Sequence, residues 1–434
     1  MSNWPFLQNG KPTHISRAEG VYIYTKEGRK ILDGAAGAIV CNIGHGRAEV
    51  ADVVRDATIK TDYVLPPWHC DEREELVELL TEKWLRPCFT RVHLTCGGSE
   101  AIEAAMRIAV MYYSSQGRPN KVKIIGRDIS YHGTTFATIS VGGHESRKIG
   151  VKHMLQRHPI APTPYTLRCE SNDPTQFYLN ELEKTILEEG PDTVAALLAE
   201  PIAGASGGAM VPPDGYWEGA RQICDKYDVL LIIDEIMTGF GRTGLHWGYQ
   251  HWPIEPDIFV SGKGLTAGYS PLNALFSTDK VAAPIEQSPG FSVMFHTYGS
   301  FAPACAAACK VLEIMDEEGL IERTRDLGDV LASKLQAAFS NHPHVAECRG
   351  KGLLQAIEIV KNRSTLERYP IEENVTAKVI KTAFDNGVHF YGAGTSIVRD
   401  VVLMGPPMTV EESHLDTMVE SLSAAVDTVT QGAN

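Results

Sequence analysis

The chain has 434 residues, of which 43% are hydrophobic and 22% are charged, a composition typical of globular proteins. Lysine and arginine number 40 against 54 aspartates and glutamates, so the formal net charge is −14. This balance argues against a nucleic-acid-binding protein, because the phosphate backbone is bound by clustered basic residues. Length alone suggests two or three domains.

Nothing in the sequence indicates a membrane protein or an exported one. No apolar run approaches the roughly 18 residues that span a bilayer, and residues 1–20 lack the charged and apolar regions of a secretory signal. The nine cysteines are scattered, with no Cys-x-x-Cys pair. We therefore expect reduced thiols, a cytoplasmic location and no metal site.

The predicted elements begin with a small hairpin, formed by strands over 21–24 and 30–32 around a turn at Glu27-Gly28. A helix is predicted over 76–85. From about residue 90, strands alternate with helices, which indicates βαβ units and a mostly parallel sheet. The predicted strands cover 91–95, 122–126, 193–200, 229–233 and 258–261, and the predicted helices cover 99–115, 216–227 and 302–315.

After about residue 320 the pattern changes to that of a smaller α+β domain. Helices are predicted over 320–339 and 377–384, and strands over 353–360, 388–390 and 401–404. Thr409 and Glu412 have the spacing of a capping box and predict the start of the last helix. The predicted domains are an N-terminal segment over 1–60 that belongs to the small domain, a large domain over 61–318, and the C-terminal small domain over 319–434.

Three short segments carry the residue types of a catalytic site. In the first, Gly97, Gly98 and Ser99 join a predicted strand to a predicted helix. Free N–H groups and the helix dipole favour an anion at such a junction. A tight turn capped by the serine would explain the same residues.

The other two segments follow buried strands. Asp234 and Glu235 come at the carboxyl end of a strand, where α/β sheets bind ligands, although such carboxylates also cap the next element. Lys263 stands between Gly262 and Gly264, and these small neighbours leave room for a bulky group on its nitrogen. A solvated loop lysine is the alternative.

Two other motifs are rejected. Residues 204–208 have the Gly-x-Ser-x-Gly pattern of a hydrolase nucleophile elbow, but an extended segment over 209–213 follows where the elbow needs a helix. The glycines around Lys263 are not a nucleotide P-loop, because that motif needs a glycine where Asp257 stands. No His-Glu-x-x-His zinc motif is present.

The order in which these segments follow one another along the chain is specific. The sequence resembles the class III aminotransferases, which depend on pyridoxal phosphate and include ω-amino-acid and amine transaminases. The resemblance runs from about Gly20 to the final helix and is strongest over 232–244. It also rests on 98–101, 131–133, 200–202, 256–258, 261–265, 296–298 and the Pro406-Pro407 pair.

The resemblance implies a role for each matching residue. Lys263 would form a Schiff base with the cofactor aldehyde and then move the substrate proton. Asp234 would pair with the pyridine nitrogen and keep the ring an electron sink. Ile236 and Tyr131 would pack on the two faces of that ring.

Further contacts to the cofactor are implied. Gly98 and Ser99 would hold its phosphate, and Glu200 would join a hydrogen-bond network beside it. Thr297 would reach the phosphate of the neighbouring subunit, which implies a homodimer or a dimer of dimers with composite active sites. The implied fold is α/β, of the aspartate-aminotransferase type (fold type I): a large domain with a mainly parallel seven-stranded sheet, and a small α+β domain built from both chain ends.

The implied reaction moves an amino group from an ω-amino acid or primary amine to a keto acid, through a pyridoxamine phosphate intermediate. Ornithine- and aminobutyrate-type relatives carry an arginine where this chain has Leu403, and this departure favours pyruvate over 2-oxoglutarate as the acceptor. Arg399 is the candidate clamp for the keto-acid carboxylate. A surface arginine paired with Asp400 is the alternative.

Two residues are candidates for the substrate pocket. Ile39 stands where several amine transaminases have a bulky aromatic residue, and Trp68 could line the pocket mouth or simply belong to a core or interface. The cofactor motifs are shared across the family. A 2-oxoglutarate-dependent transaminase, an aminomutase and a decarboxylating transaminase therefore stay open as alternatives.

Overall fold

The computed structural model describes residues 13–290, 295–395 and 398–431. Residues 1–12, with which the predicted N-terminal segment begins, lie outside that description. The strands are β1 (Ile15–Glu19), β2 (Tyr22–Thr25), β3 (Lys30–Asp33), β4 (Phe89–Thr95), β5 (Lys123–Arg127), β6 (Ile160–Ala161), β7 (Val194–Ala199), β8 (Leu230–Asp234), β9 (Ile258–Ser261), β10 (Asn273–Thr278), β11 (Val345–Lys351), β12 (Leu354–Ile359), β13 (Val388–His389), β14 (Tyr391–Ala393) and β15 (Val401–Met404). The helices are α1 (Ala36–Ile39), α2 (Ala48–Lys60), α3 (Asp71–Leu79), α4 (Gly98–Ser115), α5 (Phe136–Val141), α6 (Pro174–Glu189), α7 (Tyr216–Lys226), α8 (Asp279–Glu286), α9 (Ala302–Glu317), α10 (Leu320–Phe339), α11 (Val375–Asp385) and α12 (Glu412–Gln431).

The central sheet has seven strands in the order β4-β10-β9-β8-β7-β5-β6. Strands β9, β8, β7, β5 and β6 run parallel to one another, and β10 runs antiparallel to both of its neighbours. The mainly parallel, seven-stranded sheet expected from the family resemblance is therefore confirmed.

Strand β8 shows why the parallel strands of the sheet have continuous apolar sequences. Leu230 and Ile232 pack in the cluster that contains α4, whereas Leu231 and Ile233 pack in the core on the opposite face. A strand covered on both faces has no solvated position for a polar residue. Because parallel neighbours end at one edge of a sheet, the residues that follow β7, β8 and β9 lie close together.

Two four-stranded sheets lie outside the central one. The predicted N-terminal hairpin, β2 and β3, is confirmed, and β3 pairs in parallel with β13 from the far end of the sequence. The other sheet has the order β11-β12-β15-β14 and is antiparallel. Val21 and Leu32 share an apolar cluster with Leu335 and Leu422. Helix α2 packs instead against α9, and the domain boundaries at 60 and 318 stay a prediction.

The start of the last helix differs from the prediction. The capping-box prediction for Thr409 is wrong, because α12 begins three residues further on. The chain before α12 is held away from a helical course, since the N–H of Met408 donates to the carbonyl of Asn42 at 2.8 Å. The N–H of Glu411 donates to Nδ1 of His414 at 2.8 Å, so a histidine replaces the predicted cap.

Several elements were not predicted. Helix α2 has 13 residues, but only Val50 and Ala57 are buried, so its apolar stripe is too sparse to show a helical period. Strand β10 is short and nearly all buried, a pattern that does not separate strand from helix. The predicted helix over 76–85 is instead the end of α3 followed by a π-helical segment, Leu80–Trp84.

Across the described ranges, no helix is both long enough and apolar enough to cross a bilayer. The same ranges contain no group of three or more acidic, histidine or cysteine side chains arranged to hold a metal ion. All nine cysteines carry free thiols.

Arg242 joins three distant parts of the chain. Its guanidinium is fully buried; Nη1 donates to the carbonyl of Pro406 and Nη2 to Oδ1 of Asn42, each at 2.6 Å. Asn42 in turn donates from Nδ2 to the carbonyl of Phe240 at 3.0 Å. Burial lowers the pKa of Arg242 to about 10, although Cys41 and Asp33 act in the opposite direction.

We expect Arg242→Met to lower the free energy of unfolding by roughly 2–4 kcal/mol, since two charge-assisted hydrogen bonds disappear and two buried acceptors lose their donor. Urea unfolding measures the change. Arg325→Met is the matched control, because the Arg325 side chain is 56% exposed, and it should change the free energy by less than about 0.5 kcal/mol. Equal effects of the two substitutions would contradict the linking role of Arg242.

Candidate active site

A cavity of about 570 Å³ opens where the parallel strands end. Seven of the residues predicted for the site line it, namely Gly98, Ser99, Tyr131, Glu200, Asp234, Ile236 and Lys263. Its other walls include Val40, His132, Gly133, Ala205, Met237, Thr266 and Asn273. The fold therefore brings together residues that are up to 165 positions apart, from Gly98 to Lys263.

The N-terminus of α4 forms one end of the cavity. Gly98 is the first residue of this 18-residue helix. The Glu100 carboxylate accepts hydrogen bonds from the N–H of Cys96 at 3.0 Å and of Gly97 at 3.2 Å. The N–H groups of the first helical residues have no partner within the helix. With the helix dipole, they favour an anion at this end of the cavity.

Close packing around this end requires glycine. Ser99 Oγ accepts a hydrogen bond from the N–H of Thr134 at 3.0 Å. At Gly133 φ is +140°, and a Cβ there would overlap Ser99 Oγ. A Cβ at Gly98 would lie 2.7 Å from Cδ1 of Ile236. Neither glycine can become alanine unless Ser99 or Ile236 moves.

Asp234 ends β8 and is held from two sides. Its Oδ2 lies 2.8 Å from Nδ1 of His132, and its Oδ1 accepts a hydrogen bond from the N–H of Ile236 at 3.0 Å. Both side chains of the His132–Asp234 pair are buried. Nε2 of His132 has no partner among the described residues. When Nδ1 of His132 carries the proton, the Asp234 carboxylate accepts this hydrogen bond. The carboxylate can then also accept one from a cationic group in the cavity.

Lys263 follows β9 in a strained conformation. Its φ is +44°, in the left-handed region that costs a non-glycine residue about 1–2 kcal/mol. The preceding Gly262 packs so closely on Asn273 that a Cβ would overlap the Asn273 amide. Burial lowers the pKa of the Lys263 amine to about 8, although the charges of Asp234 and Glu200 raise it. An amine with this pKa is partly neutral near neutral pH and can act as nucleophile or base.

Glu200, immediately after β7, fixes one wall of the cavity. Its Oε1 accepts a hydrogen bond from the N–H of Tyr131 at 3.1 Å, and its Oε2 accepts one from the N–H of Gly204 at 2.7 Å. Burial raises the pKa of Glu200, while nearby His132 lowers it. The carboxylate thus ties two loops of the cavity to one strand end.

The cavity also has apolar walls. Ile236 packs on Gly98, and the half-buried ring of Tyr131 lines another side. The guanidinium of Arg147 lies 4.6 Å from the centroid of the Tyr131 ring, and His144 contacts the ring edge-on. One aromatic and one aliphatic side chain are therefore available to cover a flat ligand.

Four predicted residues do not line this cavity. Ile39 is buried with φ at +60°, whereas Trp68 is 66% exposed and Thr297 is exposed. Arg399 is half-buried and donates from Nη2 to the carbonyl of Tyr369 at 3.3 Å. The functional roles given to these four residues stay predictions.

Two further residues of the site, His132 and Asn273, have no role predicted from the sequence. His132 stands inside the 131–133 segment that carries the family resemblance, so its position beside Tyr131 was an available signal. Asn273 donates from Nδ2 to the carbonyl of Cys96 at 2.9 Å. Nothing in the sequence pointed to Asn273, because it begins β10, a strand that was not predicted.

The residues of this cavity fit pyridoxal phosphate. The N-terminus of α4 can take a phosphate, Asp234 can take a protonated ring nitrogen, and Tyr131 and Ile236 can cover a ring. The Lys263 amine donates no hydrogen bond to any described residue, as an amine reserved for a covalent partner requires. Fold and site together define a pyridoxal-phosphate enzyme of fold type I.

Comparison with known proteins gives the family. The model of the class III aminotransferases matches residues 7–426, so the chain belongs to this family and is a pyridoxal-phosphate-dependent aminotransferase. A taurine–pyruvate aminotransferase of Bilophila wadsworthia is 34% identical, over 98% of this chain and 94% of the relative. A diaminobutyrate–2-oxoglutarate transaminase of Halomonas elongata is 34% identical, over 96% and 90%. The ω-transaminase of Pseudomonas jessenii, solved in complex with PMP, matches with a TM-score of 0.91 and 31% identity, over 97% of this chain and 93% of that one.

We expect Lys263→Met to stabilise the cofactor-free protein at pH 7 by about 2–3 kcal/mol. The folded pKa of about 8 lies below the ordinary 10.5, so the unfolded chain binds more protons between these values and wild-type stability rises with pH there. Below pH 8 the wild type carries the whole cost of the buried charge, which methionine removes. The gain should therefore shrink as the pH approaches 10.5.

Thermal unfolding of both cofactor-free proteins at pH 7, 9 and 10 measures this difference. A difference that stays constant across these pH values would show that the buried charge of Lys263 is not its cause.

Proposed function

We propose that this chain transfers the amino group of an ω-amino acid or primary amine to a keto acid, with pyruvate as the acceptor and pyridoxal phosphate bound at Lys263. The observation that carries the proposal is the single cavity that joins the Lys263 amine, the Asp234 carboxylate and the anion-favouring end of α4. Two relatives support amine and keto-acid substrates, since one is named for taurine and pyruvate and the other for diaminobutyrate and 2-oxoglutarate.

Five residues would hold the cofactor. Gly98 and Ser99 would bind the phosphate, Tyr131 and Ile236 would cover the ring faces, and Asp234 would meet the ring nitrogen. When bound, the cofactor supplies an aldehyde that takes up the amine nitrogen and a ring that withdraws electrons from the reacting carbon. The structure of the Pseudomonas jessenii ω-transaminase with PMP supports this choice of cofactor.

Asp234 keeps a proton on the ring nitrogen. Its carboxylate accepts hydrogen bonds from Ile236 N–H and from His132, which hold both of its oxygens in place at the cavity. His132 also fixes the direction of the carboxylate, because its ring is buried and cannot turn freely. The electron-withdrawing power of the ring therefore depends on two residues of the protein, one acting through the other.

Lys263 moves a proton between the substrate carbon and the cofactor carbon. Its neutral amine takes the proton from one carbon and its ammonium form delivers it to the other, and a pKa of about 8 gives access to both forms. The packing of Gly262 on Asn273 fixes the backbone from which the lysine extends. Glu200 holds the adjoining wall, so the lysine moves within a rigid cavity.

Pyruvate is favoured as the acceptor by the residues near the C-terminal loops. Leu403, at the position of a glutamate-binding arginine in some relatives, is fully buried in β15 and offers no charge. Arg399 has one described hydrogen bond, to the Tyr369 carbonyl at 3.3 Å. Asp400 accepts a hydrogen bond from Thr376 rather than from Arg399. A guanidinium held by one long bond can turn toward a keto-acid carboxylate.

We also propose a homodimer or a dimer of dimers that works in the cytoplasm. Thr297 is exposed, and its neighbours Phe295 and Tyr298 are 50% and 60% exposed, as expected for a segment that meets a second subunit. There Thr297 would reach the partner's cofactor phosphate. The nine free thiols support a reducing compartment.

A panel of donors tests the proposed function. We expect alanine to form from pyruvate with at least one of β-alanine, taurine, aminobutyrate, a diamine and 1-phenylethylamine, and the visible absorbance of the bound cofactor to bleach with the donor alone. Lys263→Ala should lose both signals, whereas Lys152→Ala, at an exposed lysine, should keep them. Carbon dioxide release without alanine, or reaction with 2-oxoglutarate alone, would contradict the proposal.

Arg399→Ala should raise the KM for pyruvate at least tenfold, since it removes a charge-assisted pair to a carboxylate, and should change the KM for 1-phenylethylamine less than twofold. Arg399→Lys keeps the charge but loses the two-pronged geometry of the guanidinium. Its KM for pyruvate should therefore lie between those of the wild type and Arg399→Ala. Initial rates with each substrate varied in turn give these values. Equal changes in both KM values would exclude Arg399 as the carboxylate clamp.

A further inference from the structure

Three arginines from separate segments converge outside the cofactor cavity. Nη1 of Arg168 donates to the carbonyl of Leu366 at 2.8 Å, two residues before Arg368. Nη2 of Arg399 donates to the carbonyl of Tyr369 at 3.3 Å, one residue after Arg368. The backbone around Arg368 therefore binds a guanidinium on each side, and three positive charges are held near one another.

These arginines have donors without acceptors. Nε of Arg168, Arg368 and Arg399 is buried in each case and has no hydrogen-bond partner among the described residues. The Arg368 guanidinium as a whole forms no hydrogen bond and no ion pair with any residue that the structure describes. Buried donors in native proteins almost always have partners, so these Nε–H groups are available to an acceptor that the described residues do not supply.

The buried carboxylate beside the cluster does not meet this need. Glu358 accepts hydrogen bonds from the Tyr165 hydroxyl at 2.6 Å and from Nη1 of Arg349 at 2.8 Å, and its contact with Arg168 is long, at 3.4 Å. It has no contact with Arg368. Burial and the repulsion of Arg168 and Arg399 lower the pKa of Arg368, although the charge of Glu358 acts in the opposite direction.

Two other acids close in sequence are also engaged. Glu367 pairs with Lys361 at 2.9 Å, and Asp400 accepts a hydrogen bond from Thr376. Neither contacts the guanidinium of Arg368. The guanidinium of Arg368 thus has no ion-pair partner among the described residues, although Arg168 beside it pairs with Glu358.

We propose that Arg168, Arg368 and Arg399 form a subsite for a small oxyanion, separate from the cofactor cavity. Guanidinium groups bind carboxylate and phosphate through the same two-pronged hydrogen bonds, so the ligand is a carboxylate or inorganic phosphate. The bound anion supplies the acceptors that the three Nε–H groups and the Arg368 fork lack. It also holds Arg399 away from the cofactor cavity, a consequence that rests on the proposed role of Arg399 in keto-acid binding.

Calorimetric titration of the desalted holoenzyme tests the subsite, with inorganic phosphate in one arm and succinate in the other. The holoenzyme is used because its cofactor phosphate already fills the end of α4. We expect about one anion per chain to bind the wild type, and Arg368→Gln to weaken binding at least tenfold. Arg157→Gln is the matched control, since the Arg157 side chain is 86% exposed and should leave the affinity unchanged.

The two arms identify the source of the anion. Tighter binding of succinate assigns the subsite to a carboxylate of substrate type, and tighter binding of phosphate assigns it to inorganic phosphate. Absence of binding of either anion to the wild type would overturn the subsite. Equal affinities in the wild type and Arg368→Gln would overturn it as well.

Thermal unfolding separates this subsite from a structural role. Arg368 contacts no acceptor among the described residues, so Arg368→Gln should be at least as stable as the wild type in buffer without oxyanions. Phosphate or succinate should raise the Tm of the wild type more than that of the variant. A variant that is less stable than the wild type without any anion would show that Arg368 is structural and would overturn the proposal.

Kinetics test the link to Arg399. In the wild type, the bound anion should raise the KM for pyruvate and leave kcat unchanged. An anion that binds without changing this KM would remove Arg399 from the subsite. Absence of transaminase activity in the untreated holoenzyme would overturn the proposed function, whereas the titration result would stand independently.

Discussion

The structure depends on the buried guanidinium of Arg242, which forms no ion pair with any carboxylate in the part of the chain that the structure describes. Arg242 lies shortly after β8 in the chain. Its two hydrogen bonds reach Asn42 near the start of the chain and Pro406 near its end. Because both acceptors are neutral, the charge is stabilised only while both are in place. Arg242 therefore fixes the position of the outer sheets relative to the strand end that carries Asp234. The cavity lies next to this junction.

The ionisable residues of the cavity influence one another's charge. Burial raises the pKa of the Glu200 carboxyl and lowers the pKa of the Lys263 amine within the cavity. Asp234 accepts hydrogen bonds from His132 and Ile236, and its carboxylate opposes the loss of the proton from Lys263. A change at Asp234 therefore alters the protonation of both Glu200 and Lys263.

The part of the site that lies on parallel strand ends could be predicted from the sequence. Asp234 and Lys263 each follow an apolar run, and the rule that parallel strands end at one edge brings them together. Trp68 and Thr297 could not be placed in this way, since they are exposed in a single chain and no local pattern shows what they meet. The sequence did not point to Arg368, because the arginines near it in space, Arg168 and Arg399, lie on distant segments without a periodic pattern.

The pairing of β3 with β13 sets the order in which the protein can fold. Leu32 is opposite Val388, so this sheet closes only after more than 350 further residues are available. Contacts between such distant positions form late, because the loop-closure entropy must be overcome before they contribute stability. During synthesis, the edge of β3 in the N-terminal hairpin therefore stays unpaired while the central sheet assembles. Because unpaired strand edges promote aggregation, this interval is the one in which the nascent chain is most exposed to it.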